Sequence, residues 1–208
     1  MKHLLTLCVL LCCASAFGQA DGVKEKYLFK TTPEPWRGER ISLPPGFAPA
    51  MTLKGVEDIR FAPGMFDAAK EDFFTYVLIL SIPEKPVLTD EMLRREFLAY
   101  YQGLGEQVGK GRGLNLDGKK FTLKLKKAKV ADVPKKAQKV KAFTGELDWV
   151  EPFRTGKKQT LHLELHTWSY PDSKRQYVFA CISPKKRDHA LWKGLRKTRE
   201  TFVVEYVK

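Results

Sequence analysis

In residues 160–168, which read TLHLELHTW, polar and apolar side chains alternate strictly from Thr160 to His166. Leu161, Leu163 and Leu165 fall on one side of an extended chain, whereas a helix would scatter them around its circumference. The stretch therefore predicts a half-buried β-strand whose leucines face the core. Its other side carries three polar residues that we expect to face outward: His162, Glu164 and His166.

Three further segments have the composition of strands and lie close by in the chain: residues 120–130 (KFTLKLKKAKV), 139–150 (KVKAFTGELDWV) and 175–183 (RQYVFACIS). The connections between them are short enough for neighbouring strands to run antiparallel as a meander. The strongest buried strand comes earlier, at residues 72–82 (DFFTYVLILSI), where aromatic and β-branched residues are concentrated and Pro83 ends the run.

Two helices are predicted from apolar residues spaced three and four apart. The first covers residues 89–108, where Thr89 or Asp90 can cap the N-terminus, and the second begins near Asp188. The pattern predicts a single α+β domain over residues 36–208. We expect an antiparallel β-sheet of about five to seven strands, packed by two main helices.

The chain begins with a basic residue, Lys2, followed by an apolar run and then by small residues. This plan is typical of a secretory signal peptide, which we assign to residues 1–20, with cleavage after Ala16 or Ala20. We expect an exported protein, periplasmic or extracellular, without a transmembrane segment in the mature chain, because no later apolar run approaches about 20 residues. Residues 21–35 are polar and proline-containing and predict a flexible tether with at most a short ordered end.

Cysteine usage agrees with a domain that has no disulfide. Three of the four cysteines lie inside the predicted signal peptide, which leaves Cys181 alone in the mature chain. A single cysteine between apolar neighbours is typical of a small buried hydrophobic residue. A chain of this size can bury enough apolar surface to fold without disulfides.

Positive charge is concentrated in one part of the chain. The formal net charge is +13, and residues 119–141 contain ten lysines against one aspartate. Such a region attracts polyanions, which for an exported protein means an anionic polysaccharide, a lipid phosphate or an envelope protein rather than chromosomal DNA. The alternative is a solvated hairpin that keeps the protein soluble. The candidate ligand-binding lysines are Lys124, Lys126, Lys127, Lys139 and Lys141.

Tryptophans near the ends of the predicted strands are the second candidate binding feature. Trp149 and Trp168 could supply stacking surfaces for sugars beside the lysines. The alternative is that they seal the edge of the core. The first interpretation predicts a small aromatic and basic groove for a carbohydrate.

The histidine-bearing strand offers a possible metal site. His162 and His166 are about 13 Å apart along a strand, too far to bind one metal together. His162 with Glu164, or Glu164 with His166, could supply two ligands of a zinc site. A third would have to come from residues 146–148 of the neighbouring strand, which carry Glu146 and Asp148. Without a metal, the same residues form a polar outer face.

Catalytic motifs are absent from the sequence: it contains no G-x-S-x-G, no H-E-x-x-H and no P-loop. We therefore assign no catalytic residue and no cofactor, and consider an enzyme less favoured than a binding protein. The leading interpretation is a secreted non-enzymatic binding domain for an anionic polymer or carbohydrate. The alternative is a metal-dependent hydrolase that uses His162, Glu164 and His166.

Four segments carry a resemblance to known proteins: residues 53–80, 93–104, 177–186 and 191–202. Their sequences, LKGVEDIRFAPGMFDAAKEDFFTYVLIL, LRREFLAYYQGL, YVFACISPKK and LWKGLRKTRETF, resemble those of an uncharacterised family of exported bacterial proteins. The resemblance implies export but no activity and no site residues. The order of the predicted elements also resembles the Mog1/PsbP-like α+β fold, which by itself does not define a function.

Overall fold

The computed structural model describes residues 24–33, 35–171 and 173–207. Within this part of the chain, seven strands form one antiparallel sheet and two more form a small antiparallel pair. The strands of the large sheet are β2 Arg37–Leu43, β3 Gly55–Phe61, β4 Tyr76–Pro83, β5 Thr122–Ala128, β6 Gln138–Val150, β7 Lys158–Ser169 and β8 Arg175–Ser183. Their order in the sheet is β2-β3-β4-β8-β7-β6-β5. The small pair consists of β1 Lys24–Leu28 and β9 Val203–Val207.

Helix α1 spans Asp90–Gly111 and packs on one face of the large sheet. The side chain of Thr89 accepts a hydrogen bond from the backbone N–H of Met92 at 3.1 Å, as the sequence predicted for an N-terminal cap. Apolar side chains of α1, including Phe97, meet the three leucines of β7, which are fully buried. The α+β fold with an antiparallel sheet is therefore confirmed.

The opposite face of the sheet is covered by helix α2, Leu191–Glu200, and by the β1–β9 pair. Trp192 of α2 and Phe202 pack there against Phe179 of β8. Because both faces are covered, β8 is buried along nearly its whole length, which explains why its sequence does not alternate. Cys181 of β8 is buried and free, as predicted.

The first described residues correct one prediction. Residues 24–28 fall within the segment expected to be a flexible tether, yet they form β1, which pairs with β9. Tyr27 is buried, and its ring centroid lies 6.1 Å from that of Phe202. The prediction failed because the partner strand lies at the other end of the chain. The predicted signal peptide, residues 1–20, lies outside the described residues.

A short 3₁₀ helix, Gly118–Lys120, connects α1 to β5. Among the residues that the structure describes, no helix combines the length and the apolar character needed to cross a bilayer.

Candidate functional site

The polar side of β7 lies beneath α2. Glu164 and His166 are only 7% and 4% exposed, so the expectation that they face outward is wrong. The alternation of the strand correctly separated its two sides, but α2 covers the side that was expected to meet water. His162, nearer the start of the strand, remains partly exposed.

Glu164 is held by two arginines of α2. Arg196 donates to Oε1 through Nε at 3.0 Å and through Nη2 at 2.6 Å. Arg199 donates to Oε2 through Nη1 at 2.9 Å. Burial alone raises the pKa of Glu164, but the hydrogen bonds from Arg196 and Arg199 outweigh it and lower the pKa. The carboxylate is therefore ionised and occupied on both oxygens.

Arg199 also connects α2 to the loop that follows β5. The side chain is 1% exposed, and its Nε donates to the carbonyl of Asp132 at 3.0 Å. Its Nη2 donates to the carbonyl of Ala131 at 3.4 Å, and its Nη1 lies 3.7 Å from the sulfur of Cys181. Desolvation raises the pKa of the Cys181 thiol to about 12, which makes a thiolate nucleophile unfavourable at neutral pH. The hydrogen bonds of Arg199 to Glu164 and to the carbonyls of Ala131 and Asp132 hold α2 against the sheet and the loop after β5, which is a structural role.

A cavity of about 110 Å³ lies between the loop after β5, strands β6 and β7, and helix α2. We call it the α2 cavity. The polar and charged residues that line it are Lys129, Asp132, Thr144, Glu164, His166, Arg196 and Arg199. This volume can hold a few atoms of a ligand but not a whole small molecule.

His166 projects into the α2 cavity with both ring nitrogens buried and without a hydrogen-bond partner among the described residues. Desolvation, reinforced by the positive charge of Arg199, lowers the pKa of His166 to about 4. The negative charge of Glu164 and then the backbone of Ala131 act on the pKa in the opposite direction, although Ala131 makes no hydrogen bond of good geometry with the ring. The ring is therefore neutral at pH 7 and presents one donor and one acceptor.

The acidic residues of β6 lie on the predicted face but do not complete a metal site. Glu146 pairs across the strands with His162, and its Oε1 is 3.7 Å from His162 Nδ1. Asp148 accepts a hydrogen bond from Thr160 at 2.6 Å, at the far end of that pairing. His166 pairs with Ala142, six residues from Asp148, which places the two about 20 Å apart.

Within the described ranges, no three His, Cys, Asp or Glu side chains are grouped as they would be around a metal ion. Glu164 is already bound by two guanidinium groups. Desolvation, followed by the charge of Arg187, lowers the pKa of His162. The metal-dependent hydrolase stays a prediction that the observed contacts do not favour.

The five candidate lysines do not form one patch. Strand β5 is an edge of the sheet, and Lys124 and Lys126 face the α2 side because their register partners are Glu146 and Thr144. Lys127 pairs with Phe143 and lies on the opposite side. Only the first two of these lysines therefore stand beside the α2 cavity.

The other two lysines lie near the start of α1 and the end of β4. The Nζ atom of Lys141 donates to the carbonyl of Leu88 at 3.0 Å. The Nζ atom of Lys139 lies 3.9 Å from a carboxylate oxygen of Glu84, and both side chains are exposed. Lys141 thus has a local structural contact, and the charge of Lys139 is partly compensated by that of Glu84.

Both candidate tryptophans are buried, at 3% exposure for Trp149 and 2% for Trp168, so the predicted stacking surface is wrong. The ring of Trp149 packs 5.2 Å from that of Phe74, and its Nε1 donates to Gln159 at 3.1 Å. Trp168 packs 6.1 Å from Phe179 in the second core cluster. The alternative interpretation, that they seal the core, is the correct one.

Sequence reasoning missed Arg196 and Arg199, which define most of the site. A signal was present, because Trp192, Leu195 and Arg199 follow the spacing of one helix face. An arginine that continues an apolar stripe is typical of a buried, paired cation. Its carboxylate partner could not be identified without the packing of α2 on β7.

No family model matches this chain, and no curated protein matches it. A search of solved structures found similarity to LpqN, described as involved in cell envelope biogenesis of Mycobacterium tuberculosis. The alignment covers 88% of this chain and 92% of that chain, with 11% sequence identity and a TM-score of 0.29. Similarity at this level carries no argument about function.

Proposed function

We propose that this chain is an exported, non-enzymatic binding domain that recognises an acidic polysaccharide. The contact surface is the α2 side of the β5 edge, which we call the β5 basic surface and define by Lys124, Lys126 and Lys129. All three side chains are exposed, and none forms an ion pair with a carboxylate of the described residues. Their charge is therefore available to an external polyanion.

The observation that carries the proposal is that arginines pair with three of the nearby carboxylates. Glu164 is bound by Arg196 and Arg199. A carboxylate oxygen of Asp132 lies 3.7 Å from Arg199 Nη2. One of Glu146 lies 3.5 Å from Arg187 Nη2. Since the arginines pair with these acids, the acids compensate the positive charge of the lysines of the β5 basic surface only weakly.

Strand geometry gives the surface a spacing that suits a charged polymer. Lys124 and Lys126 are two residues apart on the same face of an edge strand, about 7 Å along the chain. Successive acidic groups of an extended polymer can reach both ammonium groups. Lysines on an edge strand also prevent sheet-to-sheet association, so the test must separate binding from this purely structural role.

Binding of the mature chain to polygalacturonate, measured across a salt series, tests the proposal. Screening predicts that the affinity falls steeply with salt. The double variant Lys124→Gln/Lys126→Gln should weaken it about fivefold, because two exposed charge contacts contribute roughly 1 kcal/mol together.

The matched control is Lys127→Gln/Lys139→Gln, which removes the same charge from the same hairpin, at a position on the opposite side of β5 and at one beside Glu84. It should weaken binding far less. Equal losses in the two variants, or an affinity that does not change with salt, would contradict the proposal. Binding to anionic lipid vesicles in preference to the polysaccharide would instead assign the surface to lipid phosphates.

A further inference from the structure

The α2 cavity contains polar groups that the protein itself leaves unused. His166 has two unpartnered ring nitrogens. Arg196 uses Nε and Nη2 on Glu164 and on the carbonyl of Arg187, while its Nη1 makes no hydrogen bond within the described residues. Thr144 lines the same space, and its hydroxyl makes no hydrogen bond within the described part of the chain. Such groups in one cavity indicate a ligand or ordered water.

The charge of the lining favours an anion. Three cationic residues, Lys129, Arg196 and Arg199, face two anionic ones, Asp132 and Glu164. Arg196 and Arg199 both bind Glu164, and Asp132 lies beside Arg199, so the lining has a net charge of +1 and Lys129 is its cation without a carboxylate partner among the described residues. A ligand group with one negative charge would neutralise the cavity.

The histidine adds a second requirement. A neutral imidazole donates one hydrogen bond and accepts another, so an oxyanion alone satisfies only one of its nitrogens. A hydroxyl group next to the oxyanion can bond to either ring nitrogen, because it both donates and accepts. Thr144, across the strand pairing from Glu164, can bond to the same hydroxyl or to the oxyanion.

Resting on the proposed function, we infer that the α2 cavity binds one acidic sugar residue of the polymer, through its carboxylate and an adjacent hydroxyl. The carboxylate meets Arg196 and Lys129, and the hydroxyl meets His166. A volume of about 110 Å³ admits this edge of a sugar while the rest of the polymer lies outside. Lys129 belongs to both the cavity lining and the β5 basic surface, and Lys126 pairs with Thr144, so the two are contiguous.

The experiment measures binding of single compounds to the mature chain by NMR titration. Glucuronate carries both the carboxylate and the hydroxyls, glucose lacks the charge, acetate lacks the hydroxyl, and glycerol 3-phosphate offers a phosphate instead. We expect saturable binding of glucuronate and at least tenfold weaker binding of the other three. Preference for glycerol 3-phosphate, or no saturable binding of glucuronate, would overturn the inference.

Variants locate the binding. His166→Phe removes both ring nitrogens and keeps an aromatic ring, and Thr144→Val removes one hydroxyl at nearly constant volume. Each should weaken glucuronate binding at least tenfold, whereas His162→Phe, on the same strand but outside the cavity, should not. Unchanged binding in Thr144→Val and in a folded His166→Phe would overturn the inference. If His166→Phe fails to fold, Thr144→Val decides.

The two proposals fail separately. Polygalacturonate binding that depends on Lys124 and Lys126, together with no response to glucuronate, would leave the proposed function intact and remove the cavity from it. Glucuronate binding that depends on His166 and Thr144, together with no affinity for the polymer, would contradict the proposed function and leave the cavity as a site for a single acidic sugar.

Discussion

Arg199 of α2 donates to Glu164 of β7 at 2.9 Å, and both side chains are almost completely shielded from water. The pair joins a helix to the middle of the sheet and at the same time orders one wall of the α2 cavity. Buried ion pairs add little stability over apolar residues of the same shape, but removing one partner is costly because the other charge remains buried.

Replacement of Arg199 by Met should destabilise the protein by about 3 kcal/mol, since it leaves part of Glu164 and the carbonyls of residues 131 and 132 without donors. Urea unfolding measures this loss. The control is Lys197→Met on the same helix, whose ion pair with Glu200 is exposed and should contribute below about 1 kcal/mol. Similar losses in both variants would contradict the role assigned to Arg199.

Acid should destabilise the protein through His166. Burial lowers the pKa of His166 from its ordinary value of 6.5 to about 4, so between these values the unfolded chain binds more protons than the folded one. Stability therefore rises from pH 4 to pH 6.5 and the contribution levels off above it, with a total of about 3 kcal/mol. Unfolding free energies across this range should show a shallower slope in His166→Phe. Parallel curves for the two proteins would show that the imidazole is not held neutral.

Glu57 of β3 should make stability depend on pH in the direction opposite to that of His166. It is fully buried, accepts a hydrogen bond from Tyr100 at 3.0 Å, and has a pKa raised from 4.5 to about 8 by desolvation. Between these values the folded chain binds more protons, so its stability falls as pH rises. Glu57→Gln keeps an acceptor for Tyr100 and should exceed the wild type by about 3 kcal/mol at pH 7.

Thermal or urea unfolding at pH 5, 7 and 8 checks the prediction for Glu57, because the advantage of the glutamine should shrink towards pH 5. The control is Glu205→Gln, whose carboxylate is exposed and pairs loosely with Lys26 at 3.8 Å. An advantage for Glu57→Gln that does not change with pH would mean that Glu57 is ionised in the folded protein.

Strand β1 should be an integral part of the fold. Tyr27→Ala removes a buried ring from the cluster around Phe202 and should cost about 3 kcal/mol of unfolding free energy. Lys26→Ala, on the neighbouring position but exposed, should change it by less than about 0.5 kcal/mol. A Tyr27→Ala variant as stable as the wild type would restore the interpretation of these residues as a tether.

Local patterns were sufficient where a short segment contains the whole physical signal. The cap at Thr89 and the period of the following residues predicted α1, and alternation in residues 160–168 predicted β7 and its buried leucines. Short connections likewise predicted the antiparallel meander of β5 to β8. In each case the hydrogen bonds or side-chain spacing involve residues close in the chain.

By itself, the sequence determined the α+β class, the meander and which side of each strand is apolar, because periodicity reports the two sides of an element. Only the tertiary structure decided that α2 covers Glu164 and His166, that Trp149 and Trp168 are internal, and that β1 pairs with β9. Whether a side chain meets water depends on what packs over it, and those partners come from distant parts of the chain. The same packing places Arg196 and Arg199 beside β7, and thereby creates the α2 cavity.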